Sequence, residues 1–354
     1  PDGTHGGLAR NGRAALVDAE QQADGDEGGQ GVASAVAHEW QWDTRDGHDP
    51  DRCVQPCSKL VIGPGQVSRS VATAFAHAHP GSAPAGSNDF GCEPSATHPR
   101  PVVLAHGTYT EAYADWAALS PALAADGYCV FALNYGGAIK EEDGDVAHET
   151  YGVGDIVGSA TAFGSFVDQV LTATGADKVD VIGYSQGATV TRYYVNKMGG
   201  DAYVDHWVGL ASPTYGGVMF GLVPIVRAIP GGEDFVEDVF SRAVREQMQG
   251  SDMLNTLNAG GDTVPGVRYT TIGSTVDEMI QPSSNIALRG AGAENIVLQD
   301  LCPSNLTGHF RMPYDPYVID VIRTVLDPDA ERHASCSVVP LGTDIPQVVI
   351  DANS

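Results

Sequence analysis

Between an apolar run, Val179-Asp180-Val181-Ile182, and a helix-like stretch at 186–198 stands the pentapeptide Gly183-Tyr184-Ser185-Gln186-Gly187. Two glycines flanking a serine at such a junction admit few folds. The chain must pass from strand to helix through a sharp turn, with neighbouring backbones too close for a Cβ. A G-x-S-x-G pattern recurs by chance, so the run before it and the helix after it carry its meaning. A turn of this kind lifts the serine hydroxyl clear of a sheet.

From residue 101 onward the chain keeps the same rhythm. Short β-rich runs fall at 102–106, 129–135, 179–184, 206–211, 267–272 and 295–299, and helix-like stretches at 115–125, 155–174, 186–198 and 315–326. Strands alternating with helices of ten or more residues predict an α/β fold, a mostly parallel central sheet flanked by helices. In 155–174 the apolar Ile156, Ala160, Phe163, Val167 and Val170 follow the helical period, Asp155 is placed to cap the start, and Gly175 to stop the end.

Composition narrows what such a domain meets. Asp and Glu number 45 against 19 Lys and Arg, a formal charge of −26. Nucleic acid is therefore excluded as an expected partner, because phosphate binding needs a basic footprint. No apolar run reaches the length of about 18 residues that a transmembrane helix needs. Residues 1–50 are rich in Gly, Ala, Asp, Glu and Gln and too poor in apolar side chains for a core, which reads as a flexible acidic leader before a catalytic domain at 51–354. A further loop, rich in Pro, Gly and Ser, is expected at 79–101. The six cysteines show no metal-like or redox spacing and fit disulfides in an oxidising compartment, hence secretion, in which case a targeting peptide has been removed from the sequence or left out of it. Cys302 with Cys336 and Cys92 with Cys129 are the expected pairs, leaving Cys53 with Cys57, although spacing alone does not settle connectivity.

A serine hydroxyl becomes a useful nucleophile when a histidine takes its proton and a carboxylate orients that histidine. In the fold that carries this turn the chain order is Ser, acid, His, each on a loop after a strand. Asp277 follows the run 267–272 and is the candidate acid. Asp262 precedes that run and Asp300 ends the next, so both fit worse. His309 lies in the loop before the last helix and is the candidate base, whereas His333 follows that helix. His106 precedes the nucleophile and is read as a packed, orienting residue. Donors for an oxyanion are expected from the backbone N–H of Gln186 and from Thr108 in the turn His106-Gly107-Thr108-Tyr109, with Tyr109 the lesser choice.

Collinear motifs extend the case. Asn88-Asp89-Phe90, then His98-Pro99-Arg100-Pro101-Val102-Val103-Leu104 running into His106-Gly107-Thr108, and Gly127-Tyr128-Cys129-Val130-Phe131-Ala132-Leu133-Asn134-Tyr135-Gly136 are among them. Phe166-Val167-Asp168-Gln169-Val170-Leu171, Val208-Gly209-Leu210-Ala211, Gln299-Asp300-Leu301-Cys302-Pro303, His309 and Asp315-Pro316 continue the series. Over roughly 60–328 the chain resembles the actinobacterial secreted triacylglycerol lipases called class 2 lipases, of the α/β-hydrolase superfamily. The resemblance implies an α/β-hydrolase fold and a triad of Ser185, Asp277 and His309. It also implies oxyanion donors at Thr108 and Gln186, and hydrolysis of acylglycerols at an oil–water interface with no metal or other cofactor. Tyr184 and Ala188 depart from the family's usual His and Gly, and the elbow is instead similar to that of cutinases. A cutinase-like or polyester and short-chain carboxylesterase is thus the alternative, and a non-catalytic binding protein on the same scaffold a second. The long insertion at about 214–262, with its apolar 218–226 and amphipathic 235–248, is expected to act as a lid or acyl-chain wall, or to be a cap that completes the core.

Overall fold

The computed structural model describes residues 60–140, 148–330 and 334–351. The expected leader at 1–50, the pair Cys53–Cys57 and His333 lie outside them. Helix α1 (Arg69–Ala78) precedes strand β1 (Val102–Ala105), after which α2 (Ala112–Trp116) and α3 (Leu119–Ala125) lead to β2 (Val130–Leu133). An antiparallel ribbon, β3 (Ala138–Lys140) with β4 (His148–Thr150), comes before the long α4 (Ile156–Thr174). Next are β5 (Val179–Tyr184), α5 (Gln186–Lys197) and β6 (Val204–Leu210). The insertion carries α6 (Val223–Ala228), α7 (Gly232–Val239), α8 (Arg242–Glu246) and α9 (Asp252–Asn258) before β7 (Arg268–Gly273). Strand β8 (Glu294–Val297), the short α10 (Leu298–Leu301), α11 (Pro316–Leu326) and α12 (Ile345–Asp351) follow.

Six strands form one sheet in the order β2-β1-β5-β6-β7-β8, every neighbouring pair parallel. Successive side chains of a strand point to opposite faces, and two cores result. Val103, Ala105, Phe131, Val179 and Val181 pack with Ala160, Phe163 and Val167 of α4 and with α5 on one face. Val102, Leu104, Val130, Ile182, Val208 and Ile272 pack with Trp116, Leu119 and Leu123 and with Val318 and Ile322 of α11 on the other. Truncating a fully buried aromatic such as Phe163 to Ala in cores of this kind costs about 3–5 kcal/mol. Helix α4 starts and stops where its sequence directs: the Asp155 carboxylate accepts the Gly158 N–H at 2.8 Å, and Gly175 adopts φ 67°.

Two expected elements are cut differently. The helix foreseen at 115–125 is two helices, because Pro121 has no N–H for the carbonyl of Ala117, which accepts the N–H of Gln66 instead, at 2.9 Å. The strand foreseen at 295–299 ends at Val297, where the Cys302 N–H closes a turn on the Leu298 carbonyl at 2.8 Å. Residues 79–101 hold no helix or ladder strand, as a loop should. Cys92–Cys129 and Cys302–Cys336 are disulfide-bonded, the second beside the loop of His309. Among the described residues no helix is long and apolar enough to cross a membrane.

The insertion is moored at both ends by one residue. Arg192 of α5, fully buried, donates to the carbonyls of Thr214 (3.3 Å) and Asp262 (3.2 Å) and to Oδ1 of Asn258 (2.9 Å). Burial pulls its pKa down to about 10, so it remains a cation, offset by Asp262.

Candidate active site

The turn after β5 is as sharp as its sequence predicts, and its backbone is strained. Ser185 sits at φ 52°, ψ −118°, in the left-handed half of conformational space that a side chain rarely occupies. Its N–H is held by the Leu210 carbonyl of β6 at 2.8 Å. A Cβ on Gly183 would fall 2.5 Å from the backbone of Gly187 and Ala188, and one on Gly187 would fall 2.1 Å from the Ala105 oxygen. Both glycines are thus required by close approach, the first within the elbow and the second where α5 passes β1.

Three loops at the carboxyl ends of β5, β7 and β8 bring Ser185, Asp277 and His309 together. His309 Nε2 lies 3.0 Å from Ser185 Oγ, and His309 Nδ1 lies 2.9 Å from Asp277 Oδ2. Asp277 is fully buried, and its other oxygen accepts the N–H groups of Met279 (2.9 Å) and Ile280 (2.8 Å). A carboxylate held in this way accepts from Nδ1–H, which leaves Nε2 free to accept the serine proton. Asp262 and Asp300 lie elsewhere: the first bonds Tyr215 Oη at 2.7 Å and the second is exposed on α10.

Several supports gave no signal in sequence. The Glu278 carboxylate accepts the backbone N–H groups of His309 (2.8 Å) and Phe310 (3.4 Å). A Cβ on Gly308 would lie 2.1 Å from that carboxylate, so the glycine before the histidine lets it approach. Tyr184 Oη donates to the His309 carbonyl at 3.0 Å. Asp315 accepts from Asn305 Nδ2 (2.8 Å), from Thr307 Oγ1 and from the Tyr317 N–H (2.9 Å), tying the loop to the start of α11.

On the other side of the serine the turn after β1 presents Thr108. Neither its N–H nor that of Gln186 bonds to another described residue. Gln186 opens α5, so its N–H is one of the unpaired donors of a helix start. The Thr108 hydroxyl donates to Gln186 Oε1 at 2.6 Å, and Nε2 of Gln247, from the insertion, donates to the same oxygen at 3.1 Å. Gln247 is a further site residue that sequence reasoning did not find. Tyr109, at φ 54°, turns away and donates its hydroxyl to the Phe240 carbonyl. His106 is fully buried and stacks on Tyr135 with ring centres 4.2 Å apart; burial lowers its pKa to about 4, so it packs as a neutral ring. A cavity of about 1060 Å³ opens at the amino ends of β6, β7 and β8, beside His206, Arg268 and Glu294, away from these loops. Among the described residues no group of His, Cys, Asp and Glu could hold a metal ion.

Residues 99–309 match the profile of the family described as Lipase (class 2). The chain belongs to the class 2 lipases. Among solved structures, this class 2 lipase is similar to Aspergillus fumigatus lipase B, with 21% identity, 73% of this chain covered and a TM-score of 0.52. The match takes in 58% of that protein's length. Lipase BlEst2 of Bacillus licheniformis in its mature form gives 15% identity over 66% of this chain and 94% of its own, at a TM-score of 0.47. Curated protein sequences gave no match. The class 2 lipase has the α/β-hydrolase fold.

Proposed function

We propose that this class 2 lipase is a secreted triacylglycerol lipase of actinobacterial type that works through an acyl-enzyme on Ser185. The observation that carries the reading is the line from Ser185 Oγ through both nitrogens of His309 to Asp277, with two unbonded N–H groups beside it. Ser185 Oγ attacks the ester carbonyl carbon as its proton passes to His309 Nε2. The oxyanion is met by the N–H groups of Thr108 and Gln186, which are already in place, so little reorganisation is needed as charge develops. His309 then gives its proton to the departing glycerol oxygen, and Asp277 stabilises the imidazolium meanwhile. Water deacylates the serine by the same steps in reverse roles.

The glyceride side of the proposal rests on the insertion at about 214–262, read as a lid. Phe220, Leu222, Ile225, Ile229, Phe235, Val239 and Phe240 are all about half exposed or more. Such a strip is suited to an oil–water surface or to an acyl chain. Two disulfides support secretion, since such bonds persist in oxidising compartments. The leader at 1–50 and a catalytic domain at 51–354 belong to the same proposal.

Hydrolysis of p-nitrophenyl butyrate and palmitate by wild type and Ser185→Ala tests it. Loss of at least about a thousandfold in the variant is expected. Equal activity of the two proteins removes the serine reading. Triolein against a polyester film separates a lipase from the cutinase-like alternative, and faster attack on the film would favour the latter.

A further inference from the structure

The turn that carries Thr108 is clamped from both sides of Gly107. Its N–H donates to Asp115 Oδ2 at 2.8 Å, and its carbonyl accepts from His106 Nδ1 at 2.8 Å. Asp115, on α2, is fully buried, and its second oxygen lies 3.0 Å from Nη1 of Arg69 on α1. His106 Nε2 accepts the Tyr135 N–H at 3.3 Å, which leaves the ring proton on the nitrogen that meets Gly107. On its open side Gly107 packs against the Tyr184 ring, 3.2 Å from where a Cβ would stand.

The geometry of the peptide gives this clamp a chemical consequence. The carbonyl of Gly107 and the N–H of Thr108 belong to one planar trans unit and point in opposite directions. Fixing the first therefore aims the second, and the second bonds to no described residue. Arg69 reaches the site by another path as well: its guanidinium carbon lies 5.9 Å from the Tyr184 ring centre, and Tyr184 holds the His309 carbonyl. A buried ion pair adds little to stability compared with apolar side chains of equal volume, but it holds a backbone donor in a fixed direction. Arg69 also lies outside residues 99–309, the segment that matches the family profile.

We propose that Arg69, Asp115 and His106 are positioning residues that act through Gly107 to aim the Thr108 N–H at the oxyanion. They touch neither substrate nor Ser185. The inference rests on the reading of Thr108 as an oxyanion donor, so its test separates the two. Asp115→Asn keeps the shape and loses the charge; Arg69→Met removes its partner; Arg69→Lys restores a cation. With p-nitrophenyl butyrate, Asp115→Asn is expected to lower kcat about a hundredfold, at the lower end for loss of an oxyanion donor, with KM within about twofold. Arg69→Met is expected to lose about tenfold, and Arg69→Lys to recover most of it. An alkylboronic acid, whose tetrahedral adduct on Ser185 places an anionic oxygen at the donors, should weaken in Ki by the same factors.

A fall in melting temperature with kcat and boronate Ki unchanged below it would reduce the cluster to a structural role and overturn the proposal. A fall in kcat with unchanged boronate Ki would overturn it too. If Asp115→Asn does not fold, the Arg69 pair decides alone, since that side chain is partly exposed. Wild-type hydrolysis by Ser185→Ala would remove the parent reading, whereas an inert Ser185→Ala beside unaffected Arg69 and Asp115 variants removes only the clamp.

Discussion

The loops around Ser185 and the apolar segment 220–240 of the insertion are built on opposite rules, although hydrogen bonds join the loops to the insertion. Asp277, Asp115, His106 and Gln186 have no exposed surface, and the oxygens of Asp277 and both peptide faces of Gly107 have partners. In residues 220–239, by contrast, Ile225 and Phe235 are each 62% exposed, and Ile229 and Phe220 58%. Tyr109 to Phe240, the Phe220 N–H to the Met279 carbonyl, and Gln247 to Gln186 cross between the insertion and these loops. A reacting centre needs fixed directions, which buried polar contacts supply. A surface that meets substrate needs apolar area left uncovered, each such side chain gaining about 1.5–3 kcal/mol when fully buried against an apolar partner. Under the proposed function, chemistry falls to one region and delivery to the other.

The largest test of the contrast is Asp277→Asn. The amide keeps the volume but favours the wrong tautomer of His309, and kcat on a soluble ester is expected to fall roughly 10⁴-fold with the fold intact by circular dichroism. A loss under about tenfold would place the chemistry elsewhere.

Acid should next divide the regions by stability. His106 and His206 are buried and neutral, with pKa values lowered by burial to about 4, while the unfolded chain titrates near 6.5. On acidification the unfolded state binds protons first, so stability is full above about pH 6.5 and falls as pH drops towards 4. The loss is at most about 3.5 kcal/mol per histidine. Residues 211–267 contain no histidine. Urea midpoints at pH 7 and pH 4.5 measure the fall, and replacing His206 with Asn should flatten it. An unchanged slope in that variant would assign the acid response to other groups.

The smallest effect belongs to the insertion. Ile225→Ser with Phe235→Ser should cut activity on emulsified triolein about tenfold and leave p-nitrophenyl butyrate within about twofold. Deletion of 218–229 should sharpen the same difference. Equal losses on both substrates would make the segment a cap that completes the core.

The parts legible in sequence were those with a local cause. Strand β5 stands where its apolar run predicts, and Asp155 and Gly175 bound α4 through bonds within a few residues. The elbow glycines could be read because their neighbours are fixed by the turn itself. Ser185, Asp277 and His309 followed from chain order on a recognised turn, and the structure brings those three together. Arg69 gave no such signal, since nothing near it in the chain tells that Asp115, across a loop and a strand, would meet it. Gln247 was hidden in the same way, 61 residues from Gln186. Glu278 stood next to a residue already singled out, yet its role depends on how Gly308 packs. The break at Ala117–Ala118 was nearer to reach: Pro121 announced that one carbonyl would need another donor.

Arg192 grips the chain where it leaves the sheet after β6 and again before it returns as β7. Two of its three partners are backbone carbonyls, indifferent to the side chains at those positions, and the third is the Asn258 side chain. Between those grips the exposed stretch 220–240 is the exchangeable part, since Ala243, Met253, Leu254 and Leu257 belong to the core and Gln247 meets Gln186. Another segment there, seated on the same arginine, would present a different apolar surface beside an unaltered Ser185, His309 and Asp277.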